Sequence, residues 1–243
     1  MSAPYVLAIT TSSGVAKVAF VCKPTGSQPL AGERIELPSC VAAFEIEEYK
    51  SQSALLLPRM VREMAENGLD KDGCAAIAVD VGPGGFTSLR TACGLAQGFA
   101  LAWQVPTVPI SSFEVMWASQ THWQEASCLI DARLNEMYSA RLDRNVQGVA
   151  WHLAPALMAV DALSEVNVPV LCDPAVHNLR MNQGLPTDGF TVVKPTAQAL
   201  GYLGWLEWMA GRGVEPLACQ PMYVRDKVAQ TTSERMALKH GAI

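Results

Sequence analysis

The sequence predicts an α/β fold made of two similar lobes, and three observations carry that reading. Short apolar runs bounded by turn residues alternate with longer segments of helical periodicity. The order, a strand hairpin followed by alternating strands and helices, occurs twice along the chain. Ala75–Val81 is a near-continuous apolar run, the mark of a strand buried on both faces. Half of the 243 residues are hydrophobic and 17% are charged, which is ample material for a large core. A disordered chain would be far more polar.

The elements follow in order. Tyr5–Ile9 reads as a strand that stops at a hydroxyl-rich turn, Thr10-Thr11-Ser12-Ser13-Gly14, and Val15–Cys22 resumes as a second strand. Pro24-Thr25-Gly26 marks the next turn, and Arg34–Leu37 reads as a third strand. Ala54–Glu66 is the first clear helix, with Leu57, Met60, Val61 and Met64 at i, i+3, i+4 and i+7. Leu55 and Leu56 widen this stripe beyond one narrow face, so the helix is expected to bury two sides. Ala75–Val81 feeds the loop Gly82-Pro83-Gly84-Gly85, after which Thr87 or Ser88 caps a helix running to about Ala102. That helix carries Leu89, Cys93, Leu95, Ala96, Phe99, Ala100 and Leu101. Gly94 and Gly98, one turn apart, allow another backbone to come close, either its own sheet or a partner. Pro106–Ile110 is a further strand, and Ser111-Ser112 caps a helix to about Ser119.

In the second half, Cys128–Asp131 and Met137–Leu142 flank Ala132-Arg133-Leu134-Asn135 as a hairpin, with Val149–Leu153 extending it. Asp161–Val166 reads as a short helix, Val168–Cys172 as a strand, and Thr196–Arg212 as a helix closed by Gly211 and Gly213. Met222–Val224 is a last extended piece. Apolar periodicity fades from Asp226, so 226–243 is expected to be a poorly ordered tail. The expected division is a first lobe over 1–110 and a second over 111–225, with the helix at 196–212 packing back on the first.

Charge and motifs narrow the chemistry. With 18 basic against 23 acidic residues the net charge is -5, which disfavours a nucleic-acid binder working by bulk electrostatics. A local basic tail of Arg225, Lys227, Arg235 and Lys239 stays open. The N-terminus lacks a basic segment ahead of an apolar run, so no secretory leader is expected, and no apolar window is long enough for a membrane helix. Seven cysteines with no CxxC pair fit buried free thiols in a reducing compartment. His122, His152, His177 and His240 include no i, i+4 pair, so a HExxH-type metal helix is absent, as is a GxSxG nucleophile elbow. The glycine loop has no following Lys for a Walker A motif and no final Gly for GxGxxG.

A glycine loop opening a helix remains, and it is either an anion site or a tight structural turn. The hydroxyl turn could join it in cradling phosphate, which makes Thr10, Thr11, Ser12, Ser13, Gly82, Gly84 and Gly85 a candidate vestigial nucleotide site. The turn itself has no carboxylate to hold Mg²⁺. Asp131, Arg133 and Glu136 cluster around the hairpin turn, as an active constellation or a solvated charge cluster. No catalytic residue and no metal ligand set is assigned.

The block Gly82-Pro83-Gly84-Gly85-Phe86-Thr87-Ser88-Leu89-Arg90, followed by Gly94-Leu95-Ala96-Gln97-Gly98-Phe99-Ala100-Leu101, resembles the TsaB (YeaZ) family of tRNA threonylcarbamoyladenosine biosynthesis proteins. Their pattern is GPGSFTGLR, then GLAKGLAL, then IPVVGVSSLEAL, the last corresponding to Val105-Pro106-Thr107-Val108-Pro109-Ile110-Ser111-Ser112-Phe113-Glu114. Leu7-Ala8-Ile9-Thr10-Thr11-Ser12 is similar to the opening strand and turn, and Leu55-Leu56-Leu57-Pro58 to the first helix. Ile130-Asp131-Ala132-Arg133 with Glu136-Met137-Tyr138 resembles the DARRGEVY hairpin, and Gln220-Pro221-Met222-Tyr223-Val224-Arg225 the closing P-x-Y-x-R element. The chain departs from the pattern at Thr10, where the family usually has Asp, at Gln52, where some members keep His, and at Gly85 in place of Ser.

The resemblance implies an actin-like (ASKHA, ribonuclease H-like) fold with a degenerate second lobe. It implies a cytoplasmic, non-catalytic subunit that docks on the catalytic paralogue TsaD, whose metal sits on an HxxxH helix, with the ATPase TsaE joining them. Docking would use the first two long helices, through Leu55, Leu56, Leu57, Met60, Val61 and Met64 and through Leu89, Cys93, Ala96 and Ala100. The same helices would form a homodimer when the partner is missing. Contact with tRNA would be indirect, no membrane is involved, no cofactor is required, and ATP enters only with the complex. The alternative is a weak Mg-ATP-binding actin-like transferase or kinase acting alone. A glycoprotease, an old label on the wider family, fails for want of a HxxxH motif and a nucleophile elbow.

Overall fold

The first apolar runs alternate as strands and pair accordingly. A computed structural model describes residues 4–12, 14–22, 40–47, 52–120, 124–145, 148–163 and 167–225. β1 (Tyr5–Thr10) and β2 (Ala16–Cys22) are antiparallel, in register from Tyr5 opposite Cys22 to Thr10 opposite Lys17. β3 (Cys40–Ile46) adds antiparallel to β2. α1 (Gln52–Glu66) crosses over, β4 (Cys74–Gly82) returns parallel to β1, α2 (Phe86–Trp103) follows, and β5 (Thr107–Ser111) pairs parallel to β4. α3 (Ser112–Ala118) leads to the second sheet. There β6 (Glu125–Arg133), β7 (Glu136–Asn145) and β8 (Gly148–Ala159) form an antiparallel meander. β9 (Val170–Cys172) pairs parallel to β6, α4 (Pro174–Asn182) crosses, β10 (Phe190–Val192) pairs parallel to β9, and α5 (Ala197–Met209) closes the order.

The two sheets share one topology. The first runs β3-β2-β1-β4-β5 and the second, read from its other edge, β8-β7-β6-β9-β10. The side chains stack these sheets into layers. One face of the first sheet (Leu7, Ile9, Phe20, Ile77 and Val79) is covered by Leu56 and Met60 of α1 and by Ala92, Cys93, Ala96 and Ala100 of α2. The other face (Val6, Ala8, Val21 and Ala78) packs on α3 and α5, which share their core with Cys128, Ile130 and Leu142 of the second sheet. Leu129, Met137 and Cys172 on the far side of that sheet pack on Val176 of α4.

α5 is apolar all round because it is sandwiched, with buried residues on every side from Ala197 to Trp205. It approaches the first sheet so closely that a Cβ on Gly201 would lie 2.4 Å from Val21 Cγ2, and one on Gly204 2.3 Å from Ala78 Cβ. Gly94 and Gly98 are different: nothing lies within 4 Å of a Cβ built on either. They do not pack against their own sheet.

Several expectations are corrected. The third described strand is Cys40–Ile46, while Arg34–Leu37 lies outside the described residues, as do Ser13 and 226–243. The N-cap of α2 is neither Thr87 nor Ser88 but Gly85, two residues before Thr87, extended at φ -62 and ψ 121 and with no side-chain cap. Asp161–Leu163 is not helical, and 164–166 lie outside the described residues. α4 was not expected, although Asp173 accepts from Val176 N and Pro174 takes the first helical position. Met222–Val224 joins no sheet and is held by Met222 N donating to Val81 O at 2.7 Å. The seven cysteines are free.

Candidate functional site

The C-terminal ends of β1 and β4 carry a polar cluster beneath the floor of an interlobe cleft, which it reaches at Ser12. At its centre is Asp80, fully buried inside an otherwise apolar strand. Its Oδ2 accepts from Thr10 Oγ1 at 2.7 Å and from Ser12 Oγ at 2.5 Å. Its Oδ1 accepts from Ser112 Oγ at 2.5 Å and from Gly82 N at 3.0 Å. Around it Thr11 Oγ1 donates to Ser88 O at 2.6 Å, and Ser111 Oγ to Gly82 O at 3.0 Å. Gly82 sits at φ 107, where a Cβ would lie 2.7 Å from Leu89 Cδ1, and a Cβ on Gly84 would lie 3.1 Å from Ser12 Cβ. Only glycine lets the loop and the hydroxyl turn close on each other here.

The sequence-predicted phosphate residues Thr10, Thr11, Ser12, Gly82, Gly84 and Gly85 are therefore brought together. The donors of Thr10, Ser12 and Gly82 point at the internal carboxyl group of Asp80 rather than outward at a ligand. Sequence reasoning missed Asp80 and Ser112. The signal was a lone carboxylate in a buried apolar run, which folds only when its oxygens are satisfied.

Above this floor the cleft has a volume of ≈ 710 Å³. Lys17, Lys194, Arg133, Asp131, Tyr138 and Tyr223 are among its walls. Lys17 Nζ donates to Pro195 O at 2.8 Å and lies 3.8 Å from Glu45. The β6–β7 hairpin tip forms the opposite rim, with Arg133, Leu134 and Asn135 all left-handed at φ 63, 57 and 60. The predicted trio at this turn divides. Asp131 pairs with Arg133 at 3.2 Å, whereas Glu136 pairs with Arg225 at 2.7 Å. Asp173 accepts from Asp131 N and Val176 N, and its burial raises the carboxyl above its ordinary range. Glu114 accepts from Ser111 N in the capping box of α3, and burial pushes it up to about 7. Among the described residues no group of three His, Cys, Asp or Glu side chains could hold a metal ion.

A second candidate surface lies on the outside of α1 and α2. Leu56, Met60, Leu89, Cys93, Ala96 and Ala100, expected on a docking face, are at most 3% exposed and belong to the core. Met64 is half-buried against the same core. Leu55, Leu57 and Val61 are 46%, 48% and 56% exposed. On α2 the outward row is Arg90, Gly94, Gly98 and Leu101, all exposed. The width of the α1 stripe thus resolves into a core side and a solvent side.

Comparison with known proteins identifies the family. Residues 47–202 match the family model described as TsaD: tRNA N6-adenosine threonylcarbamoyltransferase. A tRNA threonylcarbamoyladenosine biosynthesis protein TsaB of Haemophilus influenzae is 25% identical over 199 residues, 74% of this chain and 82% of its own. The TsaB of Escherichia coli K12 is 28% identical over 189 residues, 72% of this chain and 80% of its own. Among solved structures, a Pseudomonas aeruginosa protein described as similar to peptidase YEAZ has a TM-score of 0.74 at 21% identity, covering 91% of this chain and 100% of that one. YeaZ from Pseudomonas aeruginosa has a TM-score of 0.72 at 21% identity, covering 90% and 99%. These two structures support the fold.

Proposed function

Since the chain belongs to the TsaB (YeaZ) family of tRNA threonylcarbamoyladenosine biosynthesis proteins, related to TsaD, we propose that it is the non-catalytic scaffold subunit of the modification complex. On this reading it works in the cytoplasm, docks on the catalytic paralogue TsaD together with the ATPase TsaE, and reaches tRNA only through them. The observation that carries the reading is the outer face of α1, where Leu55, Leu57 and Val61 stand in solvent although Leu56 and Met60 already fill the core side. Exposed Gly94 and Gly98 on α2 would let a partner helix approach its backbone. The same face would pair two copies of the chain when TsaD is absent.

The test changes exposed residues, so that folding survives. Leu57→Asp combined with Val61→Asp should weaken binding to the TsaD of the same organism by at least about 100-fold, the order expected when two interface anchors are lost. Light-scattering mass on a sizing column would read it. Unchanged binding by a folded double variant would remove this face from the proposal.

The cleft favours a second reading, a Mg-ATP-binding transferase or kinase, because its volume of ≈ 710 Å³ would hold a nucleotide. Against it, Ser12, the one donor to Asp80 that lines the cleft, is engaged by that carboxyl group. Calorimetry with millimolar Mg-ATP should show no heat from the isolated chain. A stoichiometric isotherm would promote the enzyme reading.

A further inference from the structure

The segment Cys219–Arg225 has no regular secondary structure, yet it fastens parts of the molecule that no strand ladder connects. At its start Gln97 Nε2 of α2 donates to Cys219 O at 2.7 Å. Met222 N then donates to Val81 O at the end of β4, at 2.7 Å. Arg90 Nε of α2 donates to Tyr223 OH at 2.9 Å, with the Arg90 guanidinium 3.8 Å from the Phe86 ring centre and the Phe86 and Tyr223 rings 5.6 Å apart. All of these contacts are to the first lobe. The last is to the second: Arg225 Nη2 donates to Ala132 O at 2.9 Å and pairs with Glu136 Oε2 at 2.7 Å, on the β6–β7 hairpin. Met222, Tyr223, Val224 and Arg225 line the cleft between these anchor points.

We propose that this segment is a latch that ties the hairpin of the second lobe to the first, and that Arg225 is its releasable end. The asymmetry of the anchors supports this. The first-lobe end is spread over a backbone bond, two side-chain bonds and an aromatic contact, so no single loss frees it. Among the described residues, the second-lobe end rests on one guanidinium. The hairpin it grips turns tightly, with Leu134 and Asn135 both left-handed as a two-residue loop requires, and Arg225 holds both flanks of that turn, Ala132 and Glu136. Freed of Arg225, the tip loses its tie to the strap, and the cleft mouth opens along it. The inference does not depend on the scaffold reading, since no partner enters it.

Hydrogen exchange on the full chain tests it. Arg225→Ala and the near-isosteric Glu136→Gln should each speed exchange about tenfold in the peptide covering 131–136 and at Val224 and residue 225, the factor for losing one charge-assisted hydrogen bond of ordinary size, while Met222 keeps its protection. Arg212→Ala, which breaks the exposed pair with Glu207, should leave those peptides unchanged. Core strands β1 and β4 should be unaffected in all three. Unchanged exchange at the hairpin and strap in both latch variants would overturn the proposal. So would an equal acceleration in β1 and β4, which would make Arg225 a prop of global stability only.

Discussion

At Asp80 two carboxylate oxygens accept four hydrogen bonds from three hydroxyls and one backbone amide. Asp80→Ala removes the acceptor shared by all four donors, three of them buried, and should cost about 3 kcal/mol, read by chemical denaturation. Asp80→Asn should cost about 1 kcal/mol, because an amide oxygen still serves Gly82 N and Ser112, while the Thr10 and Ser12 hydroxyls can turn to accept. Equal costs would mean that the cluster does not depend on its acceptor. Glu114 gives a pH signature. Burial raises its folded carboxyl from the ordinary 4.5 to about 7, so the native state holds the proton more tightly than the unfolded chain. Its contribution is fully present below about pH 4.5 and is lost as pH rises towards 7, by roughly 1–3 kcal/mol. Glu114→Gln keeps an acceptor for Ser111 N and should flatten this dependence, leaving the variant the more stable at pH 8. An unaltered stability-pH curve would contradict the assignment. In the sequence Asp80 is one polar residue within an apolar run and Glu114 follows two serines that cap a helix, and neither pattern shows how deeply the carboxyl is buried.

Among the elements, periodicity was enough to find α1 and α2 but not to orient them. Leu57, Met60 and Val61 share a helical stripe in the sequence, yet Met60 is buried and its two neighbours are exposed. Which side faces the sheet depends on where β3 and β4 lie, and no local pattern encodes that. The glycines show the same limit. Gly94 and Gly98 read as letting either their own sheet or a partner come close, and the sheet does not, whereas Gly201 and Gly204 make the close approach within the chain. Gly204→Ala should therefore push α5 off Ala78 and cost about 1–3 kcal/mol, roughly 2–4 °C in melting temperature per kcal/mol. Gly98→Ala should do the reverse, stabilising α2 by up to about 1 kcal/mol. Two melting curves decide the contrast. α4 escaped notice because only Val176 and Arg180 of its residues are buried, too sparse a stripe to stand out. Its Asp173-Pro174 start was the available signal.

For the whole molecule, the twofold recurrence of hairpin and alternating elements was legible because each buried strand is a compact apolar run bounded by turn residues. The stacking order was not, since it depends on α5 being sandwiched between the sheets after every other described helix and strand has been laid down. Placing the hydroxyl turn, the glycine loop and Ser112 around one carboxylate is likewise a consequence of parallel pairing between β1, β4 and β5. The cleft that results lies above a cluster whose hydroxyls turn inward to Asp80, and apolar side chains stand in solvent outside α1.

The measurement that bears most directly on this is a hydrogen-exchange footprint of the chain bound to the TsaD of its own organism. The account predicts protection at long exchange times over 54–66 and 86–102, with the cleft rim at 131–136 unprotected. Protection confined to the cleft rim or to β8, with α1 and α2 exchanging as in the free chain, would contradict it.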